Sequence, residues 1–174
     1  HYSDPTLIDC TFENNTADDY GGGMYNDGNC NFTLADCAFE NNTAGIYGGG
    51  MFNISYGNPT LTNCTFTGND ADDGGGGMFN DAGASPTLTN CTFENNTAVL
   101  IGGGGMFNNI ASPILIECTF SGNMSTTLGG AIYNTHQPNL NVSDSVFTGN
   151  SSMSLDITTN FGGAIYNEGF AEFT

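Results

Sequence analysis

The stretch Pro59-Thr-Leu-Thr-Asn-Cys-Thr-Phe-Thr-Gly-Asn69 decides the fold, because the chain repeats it at a constant step of 27 residues. The phenylalanine column consists of Phe12, Phe39, Phe66, Phe93, Phe120 and Phe147. The asparagine column consists of Asn15, Asn42, Asn69, Asn96, Asn123 and Asn150. The cysteine column consists of Cys10, Cys37, Cys64, Cys91 and Cys118, with Ser145 in the sixth place. A fixed period of this length indicates structural repeats that stack on one another.

The composition excludes several classes of partner. The 174 residues contain no lysine and no arginine, and 18 acidic residues give a formal net charge of −18. Without basic side chains, the chain cannot form arginine or lysine contacts to phosphate, so nucleic acids and anionic membrane surfaces are poor partners. No apolar run reaches the roughly 18 residues that a transmembrane helix requires. We therefore expect no nucleic-acid partner and no direct membrane span.

Each repeat contains two strand-like pieces. In the first piece, Cys64 and Phe66 are two residues apart and share one face of a strand, which we expect to point into the core. The second piece has the form Gly-Gly-Met-Phe-Asn, which places the methionine and the aromatic residue on opposite faces. We expect the methionines to face inward and the aromatic residues to form a stripe at the surface or a corner. This candidate interface consists of Tyr25, Phe52, Phe79, Phe107, Tyr133 and Tyr166.

The length of the repeat predicts the architecture. A step of 27 residues suits one coil of a three-sided, all-β parallel β-helix, in which every strand pairs with the same strand of the next coil. About six coils, each rising roughly 4.8 Å, would form one solenoid domain. Both ends appear uncapped in the sequence, so we expect a longer solenoid or a stack of copies. The predicted repeats are approximately 4–29, 30–58, 59–85, 86–112, 113–137 and 138–170, with a seventh starting at 171–174.

The asparagine and cysteine columns have structural interpretations. The asparagines suit an internal ladder at a corner, where each side-chain amide bonds to its neighbours and to the backbone. Cysteines stacked one rung apart lie about 4.8 Å apart and point the same way, which fits disulfide geometry poorly. We therefore interpret the cysteine column as a core ladder of free thiols. Cys30 lies outside this column and has no obvious partner.

Two pairs of motifs carry a family resemblance. Phe120–Asn123 followed by Gly129–Ile132, and Phe147–Asn150 followed by Gly162–Ile165, combine Phe-x-x-Asn with Gly-Gly-Ala-Ile. These pairs resemble the repeats of polymorphic outer membrane proteins of the chlamydial type. The resemblance implies a right-handed parallel β-helix and a secreted or surface-displayed passenger domain, often an adhesin. The first four repeats depart from the pattern, because they have Gly-Gly-Gly-Met or a longer glycine run.

No constellation of residues predicts catalysis, so we expect the protein not to be an enzyme. The lyase chemistry that β-helices often host uses a basic residue, which is missing here, and a hydrolase needs two carboxylates with distinct roles. His1 and His136 are isolated in the sequence. Ca²⁺ prefers hard oxygen ligands, so a calcium site in the acidic loops is the one cofactor to consider, against diffuse attraction of cations. Its candidate ligands are Asp18, Asp19, Asp70, Asp72 and Asp73.

Several asparagines begin Asn-x-Ser/Thr sequences that could accept N-linked glycans. Asn123 and Asn150 fall in the predicted internal ladder and should be unusable. The candidates for glycosylation lie at turns or on an outer face. They are Asn14, Asn41, Asn63, Asn90 and Asn95.

The leading functional hypothesis is a non-enzymatic structural or adhesive protein at the cell surface. It would assemble with itself, end to end or laterally, into a filament, or bind other surface proteins and glycans. A glycan-binding module that uses the aromatic stripe is the first alternative. A carbohydrate-active enzyme is the second, because fold alone does not specify function.

Overall fold

Residues 4–136, 139–153, 161–168 and 170–174 are described by a computed structural model, in which they form short parallel strands wound into one solenoid. No described residue is helical. In chain order, the first three rungs contain β1 Thr6–Ile8, β2 Thr11–Glu13, β3 Thr16–Ala17, β4 Met24–Asn26, β5 Thr33–Ala35, β6 Ala38–Glu40, β7 Thr43–Ala44, β8 Met51–Asn53, β9 Thr60–Thr62, β10 Thr65–Thr67, β11 Asp70–Ala71 and β12 Met78–Asp81. The following rungs contain β13 Thr87–Thr89, β14 Thr92–Glu94, β15 Thr97–Ala98, β16 Met106–Asn109, β17 Ile114–Ile116, β18 Thr119–Ser121, β19 Met124–Ser125, β20 Ile132–Thr135, β21 Asn139–Ser143, β22 Val146–Thr148, β23 Ser151–Ser152, β24 Ile165–Asn167 and β25 Phe170–Phe173.

Every fourth strand belongs to the same sheet, so each rung contributes one strand to each of four sheets. The first sheet has the order β1-β5-β9-β13-β17-β21-β25, and the second has the order β2-β6-β10-β14-β18-β22. The third sheet runs β23-β19-β15-β11-β7-β3, and the fourth runs β24-β20-β16-β12-β8-β4. The parallel β-solenoid of about six turns that the repeat predicts is confirmed.

The number of sheets differs from the three sides that we expect from the coil length. Consecutive short strands are separated by residues in the left-handed region of φ. Asp36, with φ of 53°, lies between β5 and β6, and Asn41, with φ of 53°, lies between β6 and β7. Asparagine and aspartate enter this region more readily than other side chains, so they turn the chain at these corners. Each such corner ends one sheet and begins another.

The register between rungs follows the sequence repeat. Phe66 pairs with Phe39 on one side and with Phe93 on the other. The fourth sheet departs from this step in its later rungs. Met78 pairs with Met106, which lies 28 residues later, Met106 pairs with Ile132, 26 residues later, and Ile132 pairs with Ile165, 33 residues later. The one extra residue between Met78 and Met106 falls in the glycine-rich connection before β16. This connection becomes important below, because it borders the candidate functional site.

The core consists of identical side chains stacked along the solenoid axis. The Phe39 and Phe66 rings lie 4.6 Å apart with an interplanar angle of 2°, and the same distance and angle separate Phe66 from Phe93. The leucine, methionine and cysteine columns fill the remainder of this cluster. Cys64 Sγ donates to the carbonyl oxygens of Thr62 at 3.4 Å and Leu34 at 3.7 Å. All six cysteines are free, and Cys37, Cys64, Cys91 and Cys118 are buried.

Two ladders of asparagine side chains run beside this core. In the first ladder, Asn42 Nδ2 donates to Asn69 Oδ1 at 3.0 Å, and the Asn42 backbone N–H donates to the same oxygen at 3.0 Å. The second ladder follows the third position of the fourth-sheet strands, where Asn53 Nδ2 donates to Asn80 Oδ1 at 2.9 Å. Within the described part of the chain, no buried side-chain nitrogen or oxygen lacks a hydrogen-bond partner. The polar columns are therefore compatible with burial.

Candidate functional site

The aromatic residues of the fourth sheet form a second buried cluster, which we call the aromatic column. Its four central rings are only 2% to 7% exposed, and they are Phe52, Phe79, Phe107 and Tyr133. Tyr25, in the first rung, is 49% exposed. This differs from the surface stripe that the sequence suggests. The reason is that a second layer, including Tyr47, Ile101 and Leu128, packs over the outer side of these rings.

The covering layer is the segment that precedes each fourth-sheet strand. One residue per rung forms an isolated parallel bridge to the next rung, and we call these residues the cover column. The cover column consists of Tyr20, Tyr47, Gly74, Gly102, Leu128 and Phe161. In the second rung, the ring of Tyr47 stacks on Phe79 with centroids 4.4 Å apart. In the third and fourth rungs, the cover column has glycine and therefore no side chain to place over the rings.

Phe107 turns into the space that these glycines leave. A Cβ atom at Gly74 would lie 2.7 Å from Cδ1 of Phe107, which is closer than real contacts allow. The Phe107 ring makes an angle of 76° with Phe79 and an angle of 66° with Tyr47. These are the only two edge-on ring contacts among the described residues, and both involve Phe107. The regular stack is therefore interrupted at this rung.

A surface groove of about 340 Å³ opens where the stack is interrupted. We call it the aromatic groove. Its floor consists of Tyr47, Phe79, Phe107 and Tyr133, and Ile101 lies beside them. Ile101 belongs to the connection that is one residue longer than its counterpart in the third rung. The groove thus arises from two local departures from the repeat, namely the missing side chain in the cover column and the longer connection.

The opposite wall of the groove is polar. It is formed by the residues that follow the asparagines of the second ladder, which are Asp81, Asn109 and Thr135, together with His136. Asn109 Nδ2 donates to Asp81 Oδ1 at 2.8 Å, and Asn109 Oδ1 lies 2.7 Å from His136 Nδ1. Because an amide oxygen only accepts hydrogen bonds, Nδ1 of His136 carries the hydrogen in this contact. In the neutral ring, Nε2 then remains as an acceptor.

Glu168 extends the polar wall toward the last rung. The Thr135 hydroxyl donates to Glu168 Oε2 at 2.6 Å, and the Tyr133 hydroxyl donates to Oε1 at 3.4 Å. Burial raises the pKa of Tyr133, and the charge of Glu168 adds to the increase. On the other side of the groove, burial and then the Asp73 carboxylate raise the pKa of Tyr47. The surroundings of the groove are therefore negative, and the phenols stay protonated there.

The aromatic residues Phe79, Phe107 and Tyr133 of the groove belong to the candidate interface named from the sequence, whereas the polar residues of its wall were missed. One signal could have identified these polar residues. The phenylalanine column and the two asparagine ladders keep one residue type in every rung, whereas the column after the second asparagine ladder does not. It reads Asp27, Ile54, Asp81, Asn109, Thr135 and Glu168. His136 is next to this column and has a hydrogen-bonded partner, so it is less isolated than its sequence position suggests. His1 lies outside the described residues.

The five aspartates that we considered as calcium ligands are distributed over two separated loops. Asp18 and Asp19 belong to the first rung, while Asp70, Asp72 and Asp73 belong to the third. The second rung lies between them, since Ile46 N donates to the Asp19 carbonyl and Asp73 N donates to the Ile46 carbonyl. Across the described ranges, no group of three or more His, Cys, Asp or Glu side chains is placed to hold a metal ion.

Burial does affect one of these carboxyl groups. Asp70 lies in β11 between Thr43 and Thr97 of the neighbouring rungs. Burial, and then the charge of Asp72, raise the pKa of Asp70 above its usual range. This shift indicates that the surroundings of Asp70 disfavour the charged form of its carboxyl group.

The candidate glycosylation sites are all exposed, but their side chains differ in hydrogen bonding. Asn63 Nδ2 donates to Asp36 Oδ1 at 2.9 Å, and Asn90 Nδ2 donates to Asn63 Oδ1 at 2.8 Å. The other three candidates are turn residues with positive φ and no such bond between rungs, and they are Asn14, Asn41 and Asn95. Asn123, in contrast, is buried in the first ladder.

The fold and its columns define a solenoid repeat protein. A sequence model described as the right handed beta helix region matches residues 2–170, so the chain belongs to the right-handed β-helix family. No curated protein and no solved structure matches the chain significantly. Among the described residues, no helix has the length and apolarity needed to cross a membrane.

Proposed function

We propose that the chain is a non-enzymatic structural β-helix of the cell surface, whose rungs can be continued by further chain or by another copy. The observation that carries this proposal is the equivalence of its rungs. Asn42 bonds to Asn69 in the same way as Asn69 bonds to Asn96, with amide-to-oxygen distances of 3.0 Å and 2.9 Å. Each rung thus donates hydrogen bonds to the next rung and accepts equivalent hydrogen bonds from the preceding rung. Rungs that both give and receive the same contacts favour open, heterologous stacking.

The extracellular and adhesive part of the proposal has separate support. The last two repeats resemble those of polymorphic outer membrane proteins, whose passenger domains are displayed at the surface. Exposed sequons at Asn14, Asn41 and Asn95 suit a secreted chain in a cell that makes N-linked glycans. The high negative charge favours solubility and opposes non-specific contact with anionic surfaces.

The outer face of the second sheet also favours a structural role. Thr65, Thr92 and Thr119 repeat along the second sheet, as expected for a solvated face. A glycan-binding stripe has less support, because sugar stacking requires free ring faces and Phe79 is packed between Phe52 and Tyr47. The structural proposal therefore accounts for more of the surface than the glycan-binding alternative.

Self-association is tested by light scattering and negative-stain electron microscopy of the purified chain at low salt and at about 1 M NaCl, where repulsion between charges is screened. We expect rods that lengthen with salt and concentration. Phe12→Glu, which places a charge at the edge of the phenylalanine stack, should prevent lengthening, whereas Ile114→Glu, at an exposed position of an inner rung, should not. Monomers under every condition would contradict assembly between copies.

Two further experiments test the remaining parts of the proposal. Antibodies against the folded chain should label intact, non-permeabilised cells of the source organism, and labelling only after permeabilisation would refute surface display. Incubation with a panel of polysaccharides should release no new reducing or unsaturated ends. Release that depends on the protein would show that it is an enzyme.

A further inference from the structure

We propose that the aromatic groove binds a small organic ammonium ion, with its apolar part against the ring floor and its charged head at Asp81. The structural role proposed above does not use this groove. The volume of about 340 Å³ is at the lower end of the range for small-molecule sites, about 300–1,000 Å³. The groove lies in the middle rungs of the solenoid, so its walls do not depend on what precedes or follows the chain.

The charge of the site selects a cation. Asp81 lines the groove directly, Glu168 bonds to the hydroxyls of Tyr133 and Thr135, and Asp73 lies close to Tyr47. The chain has no lysine or arginine to neutralise these carboxylates. An anionic ligand would be repelled by them, and a neutral ligand would gain no attraction between opposite charges. A ligand that carries a positive charge would be attracted.

The rings provide the second element of recognition. Tyr47 and Phe107 meet at 66° with centroids 6.2 Å apart, and Phe79 meets Phe107 at 76°. Because the ring faces are packed against one another, the rings give the groove an apolar floor, against which the aliphatic part of a ligand can pack. The aliphatic part of the same ligand can contact Ile101.

The polar wall leaves suitable acceptors. Asp81 Oδ1 accepts from Asn109 Nδ2 at 2.8 Å and from the backbone N–H of Ala82 at 2.6 Å. An ionised carboxylate has about four acceptor positions, so capacity for an ammonium group remains. The contact between His136 Nδ1 and Asn109 leaves Nε2 of the neutral ring as a further acceptor. The wall therefore combines one fixed charge with oriented acceptors.

The test is titration calorimetry of the whole chain with hexylammonium chloride, in about 0.15 M NaCl to screen diffuse attraction. Hexan-1-ol and hexanoate are the matched neutral and anionic probes. We expect one saturable site for hexylammonium, weaker binding of hexanol and none of hexanoate. Tyrosine emission gives an independent signal, since the chain has seven tyrosines and no tryptophan. Equal binding of hexanol and hexylammonium would overturn the role of charge.

A pair of variants tests the place of binding. Asp81→Asn keeps an oxygen for Asn109 and Ala82 but removes the charge, and it should weaken hexylammonium binding about tenfold or more. Glu94→Gln removes one charge from an exposed position on the second sheet and should leave binding unchanged. Equal weakening by both variants would show diffuse attraction, and no weakening by Asp81→Asn would place the site elsewhere. Thermal unfolding of each variant verifies that the solenoid is intact.

Discussion

The ring of Phe107 stands at 76° to the ring of Phe79, although the two residues occupy the same column of neighbouring rungs and their centroids lie 4.8 Å apart. One rung earlier, Phe52 and Phe79 are nearly parallel, with an angle of 15°. The difference originates in the cover column, where Gly74 takes the place of an aromatic residue. The missing side chain thus allows the ring to reorient and, together with the longer connection before β16, opens the aromatic groove.

Gly74→Ala should reverse this arrangement. The new Cβ would meet Phe107 at 2.7 Å and the Gly102 carbonyl oxygen at 2.9 Å, so the ring and the backbone have to shift. We expect a loss of about 1–3 kcal/mol in the free energy of unfolding, as for other overpacked sites. Urea unfolding measures it. Gly163→Ala is the control, because its Cβ would meet only the Asn150 carbonyl oxygen at 3.5 Å. An equal cost for both variants would mean that close packing at Gly74 is unimportant.

Asn69→Ala should be strongly destabilising. Asn69 Oδ1 accepts two hydrogen bonds from Asn42, and Asn69 Nδ2 donates to the Phe39 carbonyl and to Asn96. Removing the side chain leaves buried donors and an acceptor without partners, at about 1–3 kcal/mol for each buried group. We expect a total loss of at least about 3 kcal/mol. Asn29→Ala, at an exposed position outside the ladder, should change the thermal midpoint little. A mild effect at Asn69 would argue against the ladder as a source of stability.

Alkaline pH should destabilise the fold. Burial raises the pKa of the Cys37 thiol, and burial also raises the pKa of Tyr47 and Tyr133. These groups keep their protons in the folded chain while the unfolded chain releases them, so stability falls as pH rises above the unfolded values. For the thiol, the decline should begin near pH 8.5, and for the phenols near about pH 10. Urea unfolding between about pH 7 and 10 measures the decline, and Cys37→Ala should reduce its first part. Constant stability over this range would contradict the prediction.

The buried thiols should also resist modification in the native state. Cys10 and Cys30 are only partly buried, whereas the other four cysteines are buried in the core. A thiol reagent that detects free sulfhydryls should therefore react with Cys10 and Cys30 first and with the others only on unfolding. Peptide mapping identifies the modified residues. Rapid modification of Cys64 or Cys91 in the native protein would show that the core opens easily.

Glycans should be attached at exposed sequons and not at sequons in the asparagine ladder. We expect occupancy at Asn95, which is exposed at a turn, when the chain is secreted from a cell that performs N-glycosylation. Asn123 should stay unmodified in the folded product, because its Nδ2 donates to Phe93 O and Asn150 Oδ1, both at 2.9 Å. Glycopeptide mass spectrometry reports both sites. Glycan at Asn123 in folded, secreted protein would be incompatible with the ladder.

Divalent cations should act on the acidic loops through charge alone. The separation of Asp18 and Asp19 from Asp72 and Asp73 by a whole rung favours diffuse attraction over a specific calcium site. Ca²⁺ and Mg²⁺ at equal ionic strength should therefore raise the thermal midpoint by similar amounts. A clearly larger shift with Ca²⁺, abolished by Asp72→Asn but not by Glu94→Gln, would establish a specific site.

The sequence by itself determined the parallel β-helix, because a step of 27 residues forces each residue to lie beside its own counterpart. The columns that contain Phe66 and Asn69 could be assigned to the interior from this step together with the alternation of side chains along a strand, which decides which of them share a face. The number of sheets could not be predicted from the sequence, because it depends on where single residues such as Asp36 and Asn41 adopt positive φ.

The aromatic groove was decided only by the tertiary structure. Its contacts join Asp81, Asn109 and His136 from three rungs, and they depend on a glycine in one segment making room for a ring in another. A sequence shows that Gly74 interrupts a column, but it does not show that Phe107 fills the vacated space. The burial of the aromatic column has the same origin, because strand alternation predicts which face a ring occupies and not what packs against that face. Long-range packing, and not local pattern, therefore placed the candidate site.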